Sequence, residues 1–307
     1  MADLHKKQRI VLSIKRKAVF EMGLFAITFS LIGWSPVHER KLSLPELGLT
    51  ALLDKLTDYA GRLENVALDF VCREQIEEKI DYTLDARASS PMMDIWGYSS
   101  GVGFPVHIGV PKVTNNSYVY DYQCIRKDRI IHESRTLLEK NKVKINEPNS
   151  RLMTEAFVYE NALLGPVGIF AKRVRPLFAY KIAGRDKFDK KPVVIIEAVP
   201  VDENADLHTL YGKAWVDSAN ADILKIEWGQ KHVGRFDIFQ ERAERYNLKP
   251  RITIRSEFQI LANGIRFPNL LFLEEAYTNK RSRAVIRSET TVTYKDFKFF
   301  TVEVEIR

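Results

Sequence analysis

Apolar and polar residues alternate along much of the chain, and one stretch shows the pattern most clearly. Within residues 212–229, Leu224, Ile226 and Trp228 alternate with charged residues after a turn-like Ser-Ala-Asn-Ala-Asp loop. Alternation with a period of two is typical of a strand with one buried and one solvated face, so the stretch predicts a β-hairpin. Because an isolated hairpin is barely stable in water, other elements must cover its apolar face.

The same alternation predicts about ten strands. They are residues 66–80, 117–133, 178–183, 193–200, 212–217, 223–230, 251–261, 265–277, 284–294 and 299–306. The later strands are joined by short connections, which favours antiparallel pairing of neighbours in a meander.

An amphipathic helix is predicted ahead of the strands. Ser43 and Glu46 have the spacing of a capping box, with Pro45 directly behind the cap. Apolar residues then recur every three or four positions: Leu49, Leu52, Leu53, Leu56, Tyr59, Ala60 and Leu63. The predicted fold is therefore mainly β within the α+β class: a curved antiparallel half-barrel with a leading helix and helical or loop plug segments.

Three stretches do not alternate: residues 89–112, 157–170 and 233–247. We interpret the first two as plugs or lids over the mouth of the curled sheet, with additional core as the alternative. The lid residues predicted in the second stretch are Phe157, Leu163, Leu164 and Phe170. The third stretch predicts a short helix or a charged loop.

The apolar face of the predicted sheet is larger than its cover. A helix of about 18 residues is roughly 27 Å long and cannot cover ten strands. Part of this face must close on itself, pack against the plugs or hold a ligand. The predicted lining residues of an acyl cavity are Leu224, Ile226, Trp228, Ile254, Phe258, Ile260, Val292 and Tyr294. On the last strands the pattern also predicts Ile286 inside and Arg287 outside.

The composition is typical of a soluble, folded protein, and the N-terminal segment indicates where the protein is located. The 307 residues are 45% apolar and 28% charged, and no linker interrupts them, which favours one domain over residues 38–307. A basic segment precedes an apolar run at residues 18–34, so residues 1–37 predict a signal peptide or an uncleaved signal anchor, with a buried helix as the alternative for the apolar run. The predicted location is the periplasm, free or tethered to the inner membrane.

The net charge of +7 depends on that N-terminal segment. Without residues 1–37 the chain has 41 cations and 38 anions, a balance of +3. The remaining charges alternate in sign, which is typical of solvated strand faces, and no nucleic-acid partner is predicted.

Cys72 and Cys124 lie in two predicted neighbouring strands. Export permits a disulfide between them, and two buried thiols are the alternative. Two cysteines alone do not supply the four ligands typical of a structural metal site, and neither a metal nor a cofactor is predicted.

Catalytic chemistry has weak support. Ser99 lies in a GxSxG motif, but the residues that follow are poor helix formers, whereas a hydrolase nucleophile needs a helix there. Glu74, Glu77 and Glu78 are interpreted as a solvated strand edge rather than acid/base groups. Histidines 107, 132, 208 and 232 are scattered singly. No enzyme is predicted, and an exported serine hydrolase is a remote alternative.

The chain resembles the periplasmic lipoprotein-carrier superfamily of LolA, LolB, LppX and RseB. The resemblance lies in the hairpin from Trp215-Val-Asp217 through Ile223-Leu-Lys225, in the helix feeding the first strand, and in the Gly264-Ile-Arg-Phe-Pro segment. It covers roughly residues 45–307. It implies an open half-barrel that binds acyl chains of a lipid or lipoprotein, as a monomeric carrier or chaperone. An RseB-like module of envelope-stress signalling, with an envelope or inner-membrane protein as partner, is the alternative.

Overall fold

The computed structural model describes residues 9–11, 48–66, 69–89, 113–127, 130–160, 162–202, 211–229, 236–262, 264–279 and 283–299. The predicted apolar signal run, Ser99, His107, His208, His232 and residues 300–306 of the last predicted strand lie outside them. Among the described residues, none of the helices has the length and apolar character needed to cross a membrane.

Fifteen strands and four helices follow one another in the described residues. In chain order they are β1 (Arg9–Val11), α1 (Leu49–Val66), β2 (Asp69–Asp81), α2 (Thr83–Ser89), β3 (Val113–Lys127), β4 (Ile130–Lys140), β5 (Val143–Glu147), β6 (Val158–Glu160), α3 (Gly165–Phe170), β7 (Phe178–Phe188), β8 (Lys191–Pro200), β9 (Gly212–Asp217), β10 (Ile223–Trp228), α4 (Phe236–Tyr246), β11 (Lys249–Glu257), β12 (Ile260–Ala262), β13 (Ile265–Phe267), β14 (Leu270–Thr278) and β15 (Ala284–Phe299). Short 3-10 helices lie at Ala162–Leu164 and Arg175–Leu177.

One antiparallel sheet of eleven strands dominates the fold, in the order β5-β4-β3-β2-β15-β14-β11-β10-β9-β8-β7. The sheet is not closed into a barrel, which confirms the mainly β, half-barrel prediction. Neighbours are mostly consecutive in sequence, as a meander requires, and β15 returns to pair with β2. Two further pairs are β12 with β13 and, in parallel, β1 with β6. Cleavage of the predicted signal would remove the second pair.

The leading helix α1 packs its apolar stripe into the core, as predicted. Leu56, Ala60 and Leu63 are fully buried, and Leu49 is partly buried at the edge of the core. Tyr59 is also buried, and its hydroxyl donates to the carbonyl oxygen of Arg266 at 2.8 Å. We call the sheet face that shares this core the inner face.

Two tight turns between strands were not predicted from the sequence. Residues 117–133, predicted as one strand, belong to β3 and β4, and β4 turns at Asn141-Lys142 into the fully exposed β5. β7 and β8 are joined by a similar turn at Asp189-Lys190. All four turn residues have positive φ, between 48° and 67°. Such turns usually have the sequence Asn-Gly or Asp-Gly. Because lysine occupies the second position here, the sequence does not identify the turn.

The last strands also differ from prediction. Residues 284–299 form one strand, with an irregular register between Lys295 and Lys298. A further register shift between Glu275 and Ala276 reverses the expected alternation beside it. As a result Arg287 is buried at 6% exposure, whereas Ile286 is 40% exposed. The prediction of Ile286 inside and Arg287 outside was therefore wrong.

Neither cysteine forms a disulfide, and both are buried in the inner core. In the register of β2 and β3, Cys72 lies opposite Tyr122 and Cys124 lies opposite Phe70. The two thiols are thus diagonal neighbours, and diagonal pairs lie about 7–8 Å apart, beyond ordinary disulfide geometry. Of the two alternatives predicted from the sequence, the structure shows two buried thiols.

Candidate functional site

Residues 151–160 and 162–177, which we call the cover segment, pack against the inner face. Phe157, Leu163, Leu164 and Phe170, the predicted lid residues, are all buried at 2% exposure or less. All six residues of α3 are buried, although this helix has no side-chain cap at its start. α3 also packs against α1. The cover segment and the leading helix therefore form one layer over the sheet.

Seven of the eight predicted lining residues lie in the same core as the cover segment. Six of them are buried members of this core, and Ile260 packs at its margin. The buried six are Ile226, Trp228, Ile254, Phe258, Val292 and Tyr294. The structure thus brings together most of the predicted lining and lid residues.

Leu224 does not share this core. It packs in a small separate cluster with Val193 and Trp215. The pairing of β9 with β10 has an irregular register between Ile223 and Lys225, so Ile223 joins the inner core in place of Leu224. The predicted face of Leu224, Ile226 and Trp228 is therefore wrong in its first member, because a bulge interrupts the alternation.

Trp228 lies directly beneath α3. A Cβ atom at Gly165 would come within 2.6 Å of the indole Cζ2 atom, so only glycine allows this approach. The indole nitrogen donates to the Ser256 hydroxyl at 3.0 Å, which fixes the ring. Gly168, one turn further along α3, has open space at its Cβ position. The backbone of α3 therefore approaches the sheet closely where Gly165 lies against Trp228.

Two carboxylates of β2 hold the start of the cover segment. Glu78 accepts the backbone N–H groups of Glu155 at 2.9 Å and Ala156 at 2.8 Å. Glu74, four residues earlier on the same strand face, accepts from the Tyr159 hydroxyl at 3.0 Å. Both carboxylates are buried. They satisfy backbone and hydroxyl donors that would otherwise be unpaired under the cover.

Burial gives Glu78 a pH-dependent role in stability. Burial raises the pKa of its carboxyl group more than the N–H donors of Ala156 and Glu155 lower it. The native state therefore holds this proton more tightly than the unfolded chain, and stability falls as pH rises from the ordinary carboxyl pKa to the raised native pKa. We expect Glu78→Gln to flatten this slope in urea unfolding at stepped pH. The exposed Glu77→Gln should leave the slope as in the wild type, and equal slopes in all three proteins would contradict the assignment.

Glu74 is the centre of a buried ion-pair network. Its Oε2 atom lies 2.7 Å from Nε of Arg135, and its Oε1 atom accepts from Nη2 of the same guanidinium at 3.3 Å. The Tyr294 hydroxyl donates to Oε1 at 3.1 Å. Arg135 in turn stacks over the Tyr122 ring, with 4.8 Å from its guanidinium carbon to the ring centroid. Tyr294, predicted as an apolar lining residue, is thus a hydrogen-bond donor to a buried carboxylate.

The charges of this network are compensated internally. Burial raises the pKa values of Tyr159 and Tyr294 well above their ordinary range, so both stay neutral donors. Burial acts to lower the pKa of Arg135, but the facing Glu74 carboxylate raises it, and the net result is a strongly raised value. Both oxygens of Glu74 are occupied by donors, which indicates a structural role rather than proton transfer.

A third buried carboxylate, Glu275, attaches α4 to the sheet. It accepts from Arg242 of α4 at 2.9 Å and from Arg287 of β15 at 3.1 Å. The Tyr277 hydroxyl donates to it at 2.5 Å. Arg287 also donates to Asp85 of α2 at 2.9 Å. The inner face is therefore apolar under α3 and polar at these two networks.

Sequence reasoning missed these buried charges. Glu74 and Glu78 were interpreted as a solvated edge, whereas they are 0% and 2% exposed on a central strand. The alternation along β2 could have identified them, because both glutamates lie on the same strand face as the apolar residues Cys72, Ile76 and Ile80. Residues that alternate in step with apolar neighbours face the core whatever their charge.

Buried carboxylates and apolar side chains together make up the inner face in the described part of the chain. Within the ranges given above, no group of three or more His, Cys, Asp or Glu side chains could hold a metal ion. The buried carboxylates are engaged by donors, and the remaining inner face offers apolar side chains. Apolar groups associate with side chains of this kind through desolvation.

Comparison with known proteins gives structural likeness at low identity. No protein-family model and no curated protein matches the chain. A LolA superfamily protein from Nitrosomonas europaea is 12% identical with a TM-score of 0.36, covering 84% of this chain and 96% of that chain. An outer membrane lipoprotein-sorting protein domain from Vibrio parahaemolyticus is 12% identical with a TM-score of 0.37, covering 82% and 94%.

The complex of MucA and MucB from Pseudomonas aeruginosa is a further similar structure. It is 7% identical with a TM-score of 0.23, covering 82% of this chain and 100% of that chain. At these identities the likeness concerns the fold alone.

Proposed function

We propose that this protein is an exported, non-catalytic binding protein that holds acyl chains of a lipid or lipoprotein between the cover segment and the inner face of the sheet. The observation that supports the proposal is the cover segment itself. Its apolar middle, from Ala162 to Phe170, is wholly buried against the predicted lining residues. In this arrangement the cover occupies the space that an acyl chain would take, as in a closed state.

The polar contacts of the cover segment lie mainly at its two ends. Its start is held by Glu78 and Glu74, as described above. Its end is held on α1 by Arg173, 2.7 Å from Glu64, and by Arg175, 2.6 Å from Asp54. Between them, the described contacts of α3 are packing and one hydrogen bond, from the Tyr180 hydroxyl to the Ile169 carbonyl oxygen at 2.6 Å. The middle can therefore be displaced while both ends stay attached.

Desolvation is the proposed source of affinity. Each buried methylene contributes about 0.8 kcal/mol, so one long acyl chain supplies on the order of 10 kcal/mol before ordering costs. The chain would replace the contacts that α3 makes with Trp228 and its neighbours. Because apolar contacts are exchanged for apolar contacts, the main cost is the rearrangement of the cover segment.

Native mass spectrometry after gentle purification tests the proposal. We expect the protein to retain phospholipid or, once stripped, to take up a long-chain lysophospholipid in a saturable 1:1 complex. Saturation separates the predicted site from surface adsorption, which would continue to rise with added lipid. A protein that neither retains nor takes up lipid would contradict acyl binding. If it instead captured an inner-membrane protein from envelope extract, the signalling alternative would be favoured.

A further inference from the structure

A basic cleft lies at the seam between α1 and the end of the cover segment. It has a volume of about 900 Å³. One wall is the solvent side of α1, the second is the turn at Ala171, Lys172 and Arg173, and the third is Asn220 in the turn between β9 and β10. The cleft is therefore built from three separate parts of the chain.

Cations outnumber anions in this cleft. Its lining contains Lys55, Arg62, Lys172 and Arg173 with two carboxylates, Asp58 and Glu64. Arg173 and Glu64 neutralise each other in an ion pair at 2.7 Å. That leaves three cations facing one carboxylate, and none of the three forms an ion pair with another residue in the described part of the chain. A free guanidinium with two ammonium groups is the donor set that favours phosphate.

The helix dipole works weakly against an anion here. The carbonyl end of α1 carries partial negative charge and lies near Asn65 at the rim of the cleft. This effect fades within the last helical turn. Arg62 and Lys55 lie roughly one and three turns before that end. Their full charges therefore determine the sign of the local field.

The cleft lies where an amphiphile would cross from water into the core. Ala171, buried at 3% exposure, lines the cleft and directly follows α3. Gly61 of α1 lines it too, and the space at its Cβ position is open. A chain entering beneath α3 at this seam would leave its head group beside Arg62 and Lys172.

We propose that the cleft of Lys55, Arg62 and Lys172 binds the phosphate group of an anionic amphiphile whose acyl chain lies beneath the cover segment. This inference rests on the proposed acyl-binding function and adds a ligand class to it. The phosphate belongs to a lipid head group if the chain is needed for binding, and to a soluble phosphate compound if it is not.

The experiment measures the affinity of wild type and of two double variants for two lipids, phosphatidylglycerol and diacylglycerol. Both lipids have the same two acyl chains. Arg62→Gln with Lys172→Gln removes two cleft cations. Lys144→Gln with Lys187→Gln removes two exposed cations elsewhere and serves as the matched control. Equal melting temperatures would show that all three proteins are folded.

We expect wild type and the control to bind phosphatidylglycerol at least about tenfold more tightly than diacylglycerol, the size expected of one charge-assisted hydrogen bond. The cleft variant should lose most of this preference and still bind diacylglycerol. Equal binding of both lipids by wild type would overturn the head-group inference and leave acyl binding standing. Failure to bind either lipid would overturn both. Displacement of phosphatidylglycerol by glycerol phosphate at equal concentration would overturn the amphiphile assignment in favour of a soluble phosphate compound.

Discussion

Replacing Glu74 by alanine should lower the free energy of unfolding by about 3–5 kcal/mol, the cost of breaking a buried ion pair. The Arg135 side chain is 10% exposed and Glu74 is 0% exposed, so the guanidinium recovers little hydration when this carboxylate is lost and keeps the longer contact with Glu133, at 3.7 Å. The hydroxyl groups of Tyr159 and Tyr294 would lose their common acceptor as well. Urea unfolding followed by circular dichroism measures the effect.

A neighbouring glutamate supplies the control for this prediction. Glu77 is exposed on the opposite face of β2, and Glu77→Ala should change stability by no more than about 0.5 kcal/mol. The double variant Glu74→Leu with Arg135→Met should recover part of the loss, because it removes the ion pair and keeps the volume. The loss that remains reflects Glu133 and the hydroxyl groups of Tyr159 and Tyr294, which have no partner from this pair in the variant. If Glu74→Ala were as stable as Glu77→Ala, the network would have no structural role.

The second large effect concerns the contact of α3 with Trp228. Gly165→Ala should destabilise the protein by about 1–3 kcal/mol, because the added methyl group overlaps the indole ring. Relief requires α3 to lift, since the indole is held by its hydrogen bond to Ser256. Hydrogen exchange of the α3 amides should therefore become faster, and a fluorescent fatty acid should be taken up more readily.

The same helix contains the matched control. Gly168→Ala introduces the same methyl group into open space, and it should be neutral or stabilising by up to about 1 kcal/mol. It should leave exchange and fatty-acid uptake unchanged. Equal behaviour of the two variants would show that the cover is not opened at Trp228.

The alternation of apolar and polar residues predicted most of the strands, because one face of the sheet packs against the apolar core. The bounds of β9, 212–217, agree with the predicted ones, since both ends are marked by a glycine and a polar turn. The tight turns at Asn141-Lys142 and Asp189-Lys190 could not be recognised from the sequence, because the second turn residue is lysine where glycine is usual. Positive φ at such a residue is imposed by the paired strands rather than by its own preference.

The candidate site was predicted in its apolar part and missed in its polar part. Trp228 and Phe258 follow the alternation of their strands and lie where predicted. Leu224 and Arg287 do not, because bulges shift the register by one residue, and a single sequence gives no mark of a bulge. The partner of Glu74 is Arg135, 61 residues away, and long-range pairs of this kind become visible only in three dimensions.

The pairing of β15 with β2 also sets the order in which this molecule can assemble. Tyr294 and Glu74 meet across 220 residues of chain, and contacts of such long range slow folding. In a chain made from its N-terminus, β2 has no partner on one side until residues 284–299 are available. Until then the strand exposes an unpaired edge, which is a hazard for aggregation. The pairing of β15 therefore determines when this edge of β2 becomes protected from association with other chains.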